Sequence, residues 1–148
     1  SVQDLRNLGL GFRDVRVYET TKIINENNIK FDEVIASNDA MFSVKVGHVS
    51  KNIEVSDRTL YIVTESSNSL VKQVSLAVTN CRYNVAKNIN NYLKTIGKFK
   101  YHINLFGIAY KFKSIGTIQM MKYIIKSLFR TPIKYIFKDL KECIKSVI

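Results

Sequence analysis

No acidic residue stands between Glu65 and Asp139, although thirteen Lys and Arg are spread from Lys72 to Lys138. Soluble surfaces ordinarily mix both signs, so basic surface free of acid over that length points to a polyanion lying against it. The same gap removes paired-carboxylate catalysis and carboxylate-bound magnesium or calcium from this stretch. Cysteine is scarce too: Cys81 and Cys143 lie far apart, with no CxxC partner and no His at ligand spacing, which excludes a zinc knuckle and a disulfide framework. His48 and His102 are isolated in sequence, and neither has an evident nucleophile partner. Long apolar runs are missing, so no transmembrane helix is expected. No secretory leader pattern is recognisable. Gly9-Leu10-Gly11 lacks the third glycine and the preceding strand of a dinucleotide loop, and no phosphate-loop lysine motif occurs. The chain is therefore expected to be no enzyme, with no cofactor, metal or small-molecule substrate.

What is present is charge and core. A net charge of +11 favours an anionic partner, and 46% hydrophobic residues in 148 suffice for a packed interior. The charge is uneven. Residues 1–74 carry nine Lys/Arg against ten Asp/Glu, whereas residues 75–148 carry fourteen against two. Abundant Asn, Ile, Lys, Tyr and Phe, a single Pro and no Trp are the vocabulary of AT-rich coding sequence, as in an organelle genome or an AT-rich organism.

Residues 1–40 read as an extension that wraps on neighbouring proteins, with one short helix around Val17 to Asn25. From Met41 the alternation of Phe42, Val44 and Val46 with Ser43, Lys45 and Gly47 predicts strands, continued by Ile53 and Val55 and by Leu60 and Ile62. After the N-cap candidates Ser66, Ser67 and Asn68, Leu70, Val74, Val78, Cys81, Val85, Ile89, Leu93 and Ile96 fall within one arc of about 140°. This spacing predicts a long amphipathic helix over 68–96, stopped by Gly97. Strand texture returns at 99–106, 108–113, 117–129 and 133–137, and a short helix is expected from Asp139 to Ile148. The expected fold is α+β: short antiparallel sheets each packed with a helix, in a first domain over 41–97 and a related, shortened second one over 98–148.

Lys72, Lys87 and Lys94 fall outside the apolar arc of the long helix and can face RNA. In Lys98-Phe99-Lys100-Tyr101 and Tyr110-Lys111-Phe112-Lys113, alternation separates rings from ammonium groups. Core rings with solvated lysines and base-stacking rings fit this pattern equally. We assign Lys98, Lys100, Lys111 and Lys113 to phosphate, with Lys122, Lys126, Lys134 and Lys138 from the same acid-free stretch. Ammonium groups neutralise phosphate without exact geometry, which suits recognition of folded RNA by shape.

Gly97-Lys98-Phe99-Lys100-Tyr101-His102-Ile103-Asn104-Leu105-Phe106-Gly107-Ile108-Ala109-Tyr110-Lys111 resembles a junction in the ribosomal protein L-six family of the large subunit. There a glycine and an aromatic follow a long helix and lead into L-x-L-V-G-V-G-Y and a basic residue. Ser127-Leu128-Phe129-Arg130-Thr131-Pro132-Ile133 resembles a later strand of that family, with Phe129, Pro132 and Ile133 kept and with Ala109, Leu128 and Thr131 departing from its pattern. The resemblance implies two related α+β domains on the factor-binding side of the large subunit, near the sarcin-ricin loop. It places Gly107, Tyr110 and Lys111 on the first strand of the second domain, and Arg130, Thr131 and Pro132 in a loop that meets rRNA. The function implied is a structural, rRNA-binding constituent of a large ribosomal subunit. The setting expected is the mitochondrial matrix, with another organelle or the cytoplasm of an AT-rich organism as alternatives. The competing reading is a basic peripheral membrane or protein-interaction module using Met121 to Lys138. Pro132 interrupts that segment, and its apolar positions hold no single helical stripe.

Overall fold

Ladder pairing, expected in segments within 42–64 and 99–137, is confined among the described residues to two short segments. In the computed structural model, which describes residues 15–17, 20–51, 53–55 and 74–145, β1 (Val15–Val17) pairs antiparallel with β2 (Ile53–Val55), Val15 opposite Val55 and Val17 opposite Ile53. The other regular elements among the described residues are helices: α1 (Thr20–Glu26), α2 (Asn38–Val49), α3 (Leu76–Thr95), α4 (Leu105–Tyr110), α5 (Thr117–Arg130) and α6 (Ile133–Lys145), with 3-10 turns at Phe99–Tyr101 and Lys111–Ser114. The expected α+β fold of short antiparallel sheets each packed with a helix is overturned. By its contacts the chain divides into one compact unit over 1–33 and 38–67 and a second over 34–37 and 68–148.

In the first unit the segment read as a strand from Met41 is α2. Phe42 and Val46 alternate with polar residues, but they also lie four apart, and helical pairing with Met41 buries Met41 and Val46 while Phe42 stacks on Phe31 at 4.1 Å. Asp39 in the first turn complements the helix dipole. Leu60 and Ile62 lie outside the described residues.

In the second unit the predicted long helix forms, with its start moved. Ser75, not Ser66 to Asn68, is the N-cap: its Oγ accepts the Val78 amide at 3.2 Å. Gly97 ends the helix at φ +67°, where its amide donates to the Lys94 carbonyl and that of Lys98 to the Leu93 carbonyl at 2.7 Å. That pair of hydrogen bonds, from the left-handed Gly97 and from Lys98 after it, is a Schellman stop, which a glycine satisfies without the strain that a Cβ adds. Val78, Val85, Ile89 and Leu93 of the predicted stripe are buried, joined by Tyr83 and Ala86.

The segments from Phe99 onward fold as turns and helices because helical spacing buries more of them. Asn104 Oδ1 accepts the amides of Phe106 and Gly107 and starts α4, and Leu105, Phe106, Ala109 and Phe112 then reach the core together. Phe112 stacks on Tyr123 of α5 at 3.9 Å, and Tyr83 meets the same ring edge-on at 4.8 Å. Pro132 ends α5 and precedes α6, where the missing amide costs a helix nothing. The short C-terminal helix expected from Asp139 thus begins at Ile133.

Candidate nucleic-acid interface

The described part of the second unit contains two carboxylates, and its packing removes one of them from the surface. Asp139 on α6 is 1% exposed, and its Oδ2 lies 2.7 Å from His102 Nε2. The Nδ1 of the same ring lies 3.0 Å from the Phe99 carbonyl oxygen. A carbonyl can only accept, so Nδ1 carries a proton. The Nε2 contact then needs a second proton shared between ring and carboxyl, either as imidazolium with carboxylate or as imidazole with carboxylic acid. In both forms the net charge of the pair is zero. Asn104 Nδ2 donates to the Asp139 carbonyl at 2.8 Å, and Asn90 exchanges two bonds with the Ile103 backbone at 2.7 and 2.8 Å. These contacts tie α3, the turn before α4, and α6 into one polar joint. Both His102 nitrogens are engaged within it, so the His-Asp pair offers a substrate no free ring nitrogen.

With Asp139 withdrawn, Glu142 is the one exposed carboxylate among residues 74–145, and it lies 3.8 Å from Lys138. Of the fourteen Lys and Arg between Arg82 and Lys145, all but Arg82 and Lys87 are exposed. Lys87 is half-buried and donates to Asn84 Oδ1 at 3.5 Å. Lys94 lies in the last turn of α3, Lys98 follows the helix, and Lys100 lies 4.7 Å over the Tyr101 ring. Lys111 and Lys113 are exposed on their 3-10 turn, and Lys113 donates to the Tyr110 hydroxyl at 3.2 Å. Lys122, Lys126 and Arg130 project from α5, with Lys126 4.5 Å over Tyr123, and Lys134 and Lys138 project from α6, with Lys134 5.0 Å over Tyr135. Rings beneath ammonium groups hold them outward at a modest gain of about 0.5–1 kcal/mol each. Thr131 is buried at 6% exposure in the connection between α5 and α6. Lys72 lies outside the described residues.

Lys141 and Lys145 are exposed on α6 beside Lys134 and Lys138, and sequence reasoning passed over them. They follow Asp139 and so fall beyond the acid-free gap, but the spacing 134, 138, 141, 145 marks them as one face once the segment is helical.

A second hydroxyl chain lies inside. Tyr123 donates to Asn80 Oδ1 at 2.6 Å, Ser127 donates to the Tyr123 carbonyl at 2.8 Å, and the Tyr83 and Ser127 hydroxyls meet at 3.0 Å. Burial pushes the Tyr83 phenol above its ordinary value, opposed by the Ser127 bond and the Arg130 charge. Burial also raises the Cys143 thiol, which disfavours the reactive thiolate. No group of three or more His, Cys, Asp or Glu that could hold a metal occurs among the described residues.

What this arrangement can do is attract and neutralise a polyanion over a broad surface, using long lysines with few competing carboxylates. No helix among the described residues is long and apolar enough to cross a membrane. No protein-family model, curated protein or solved structure matches the chain.

Proposed function

We propose that this protein is a non-catalytic RNA-binding protein, a structural constituent of a large ribosomal subunit, which meets rRNA phosphate through the exposed cations of residues 74–145. The observation that carries the reading is the charge left at the surface once His102 has neutralised Asp139: twelve exposed cations against the single carboxylate of Glu142. Lysines dominate that set, and as mobile point charges they suit a backbone read by shape. Neutralising several phosphates at once releases their counterions, which drives association.

The resemblance over Gly97–Lys111 and Ser127–Ile133 is what names the particle. Both segments are largely helical, so it supports the choice of partner through residue identity alone and carries no strand pairing. The reading places the protein in a mitochondrial ribosome, with residues 1–40 against neighbouring ribosomal proteins.

The test is co-sedimentation of the tagged protein with large ribosomal subunits from organelles, repeated after a high-salt wash. Retention on the subunit is the expected result. Recovery in free or membrane fractions alone would sink the reading.

A further inference from the structure

We propose that the outer faces of α5 and α6 form a docking surface for the headgroup region of an anionic lipid bilayer, on which both helices lie without crossing it.

Each helix carries two apolar faces. On α5, Tyr123 and Ser127 are buried, yet Ile118, Met121, Ile125, Leu128 and Phe129 are exposed, with Ile118 at 85% and Phe129 at 88%. At 3.6 residues per turn these five fall within an arc of about 100° on the side away from the core. On α6, Asp139 is buried, while Ile133, Phe137 and Ile144 are exposed and half-buried Leu140 lies among them, all within about 60°. Phe129 and Ile133, on either side of Pro132, bring the two stripes to the same joint.

A cation row borders each stripe: Lys122, Lys126 and Arg130 run between the stripe and the core face of α5, and Lys134, Lys138, Lys141 and Lys145 run along the side of α6 opposite Asp139. Each helix therefore sets an exposed apolar stripe beside a row of cations. This is the pattern of a helix lying in a bilayer interface, its apolar side chains below the headgroups and its ammonium groups reaching lipid phosphate.

Charge decides between this occupant and the others. A second copy seated on the same stripes would bring matching cation rows together, with Glu142 as the one exposed carboxylate among residues 74–145 to offset them. Nucleic acid meets the same cations but leaves the isoleucines and phenylalanines in water. An anionic bilayer satisfies both. Lipid and rRNA are therefore alternative partners of the α5 and α6 rows, while Lys94, Lys98, Lys100, Lys111 and Lys113 serve rRNA alone. The 14 and 13 residues of α5 and α6 are too short to span a bilayer.

The absence of Trp from the chain supplies a clean reporter. The full chain carrying Phe129→Trp, freed of nucleic acid by nuclease and salt, is mixed with vesicles of phosphatidylcholine containing about one third phosphatidylglycerol. The expected result is a blue shift of its emission and quenching by brominated acyl chains, with at least about ten-fold weaker binding to pure phosphatidylcholine. Flotation of the Phe129→Ser/Phe137→Ser protein on the same anionic vesicles should fall by at least about ten-fold. Its affinity for a structured RNA should change by less than about two-fold. The absence of a spectral shift, or flotation that ignores the two serines, would overturn the proposal. An equal loss of RNA affinity would also overturn it by making the face part of the RNA site. A wild-type dimer that becomes monomeric in the serine variant would assign the face to a second copy.

Discussion

Helix α3 and the pair α5–α6 are all amphipathic, but they spend their apolar residues differently. On α3 the stripe Val78, Val85, Ile89 and Leu93 is consumed by the core. On α5 and α6 the core is served by Tyr123, Ser127 and Asp139, while Ile118, Ile125, Phe129, Ile133 and Phe137 remain in water. Hydrophobicity alone therefore does not report burial. Apolar residues left in water over two consecutive helices mark a surface that another body covers. The cations divide similarly. Those near the end of α3 and on the 3-10 turns have no such exposed stripe beside them, whereas those of α5 and α6 do.

Substitutions can break this contrast in order of effect. Phe112→Ala removes a fully buried ring stacked on Tyr123 and should lower unfolding free energy by about 4 kcal/mol, read from chemical denaturation. Asp139→Ala leaves His102 buried without its carboxyl partner and should cost about 3 kcal/mol. A loss below about 1 kcal/mol would show that the joint is solvated in solution. Tyr83→Phe should cost about 1 kcal/mol near neutral pH by removing one buried hydroxyl contact. Because burial raises the Tyr83 pKa, folding favours the neutral phenol. Its stabilising effect is therefore complete below the ordinary phenol value of 10.0 and declines as pH rises through it toward the higher folded value. The phenylalanine variant should lack that decline. Phe129→Ala, on the outer face, should change stability by less than about 0.5 kcal/mol. A cost near that of Phe112 would mean the outer stripe is packed and the comparison fails.

How much the sequence disclosed follows from the same contrast. The helix around α3 was legible because its apolar residues occupy one arc and polar ones the other, and Gly97 supplied its stop. Its start was misplaced, since Ser66, Ser67, Asn68 and Ser75 are all competent caps. In α5 the inner set and the outer set are both apolar, so residues 117–129 show no clean period, and Ile, Tyr and Phe favoured a strand reading that the core overrode. Pro132 hid the stripes further by resetting the helical phase between α5 and α6. Around Phe99 to Lys113, rings and lysines separate as their alternation implied, with Phe112 in the core and Lys111 and Lys113 outside, although helical turns do the separating. The cations were legible by counting. The withdrawal of Asp139 was not, because it depends on a contact with His102, thirty-seven residues earlier, that only the fold creates.

The claim that binds these parts is that residues 74–145 present a cationic surface that RNA covers. It is tested most directly by measuring the affinity of the intact protein for a structured RNA against salt concentration. Engagement of about eight phosphates predicts a slope of log K on log salt of about −7, made shallower by about two for each pair of exposed lysines replaced by glutamine, beginning with Lys98 and Lys100. A slope flatter than about −2, unchanged by those substitutions, would contradict it.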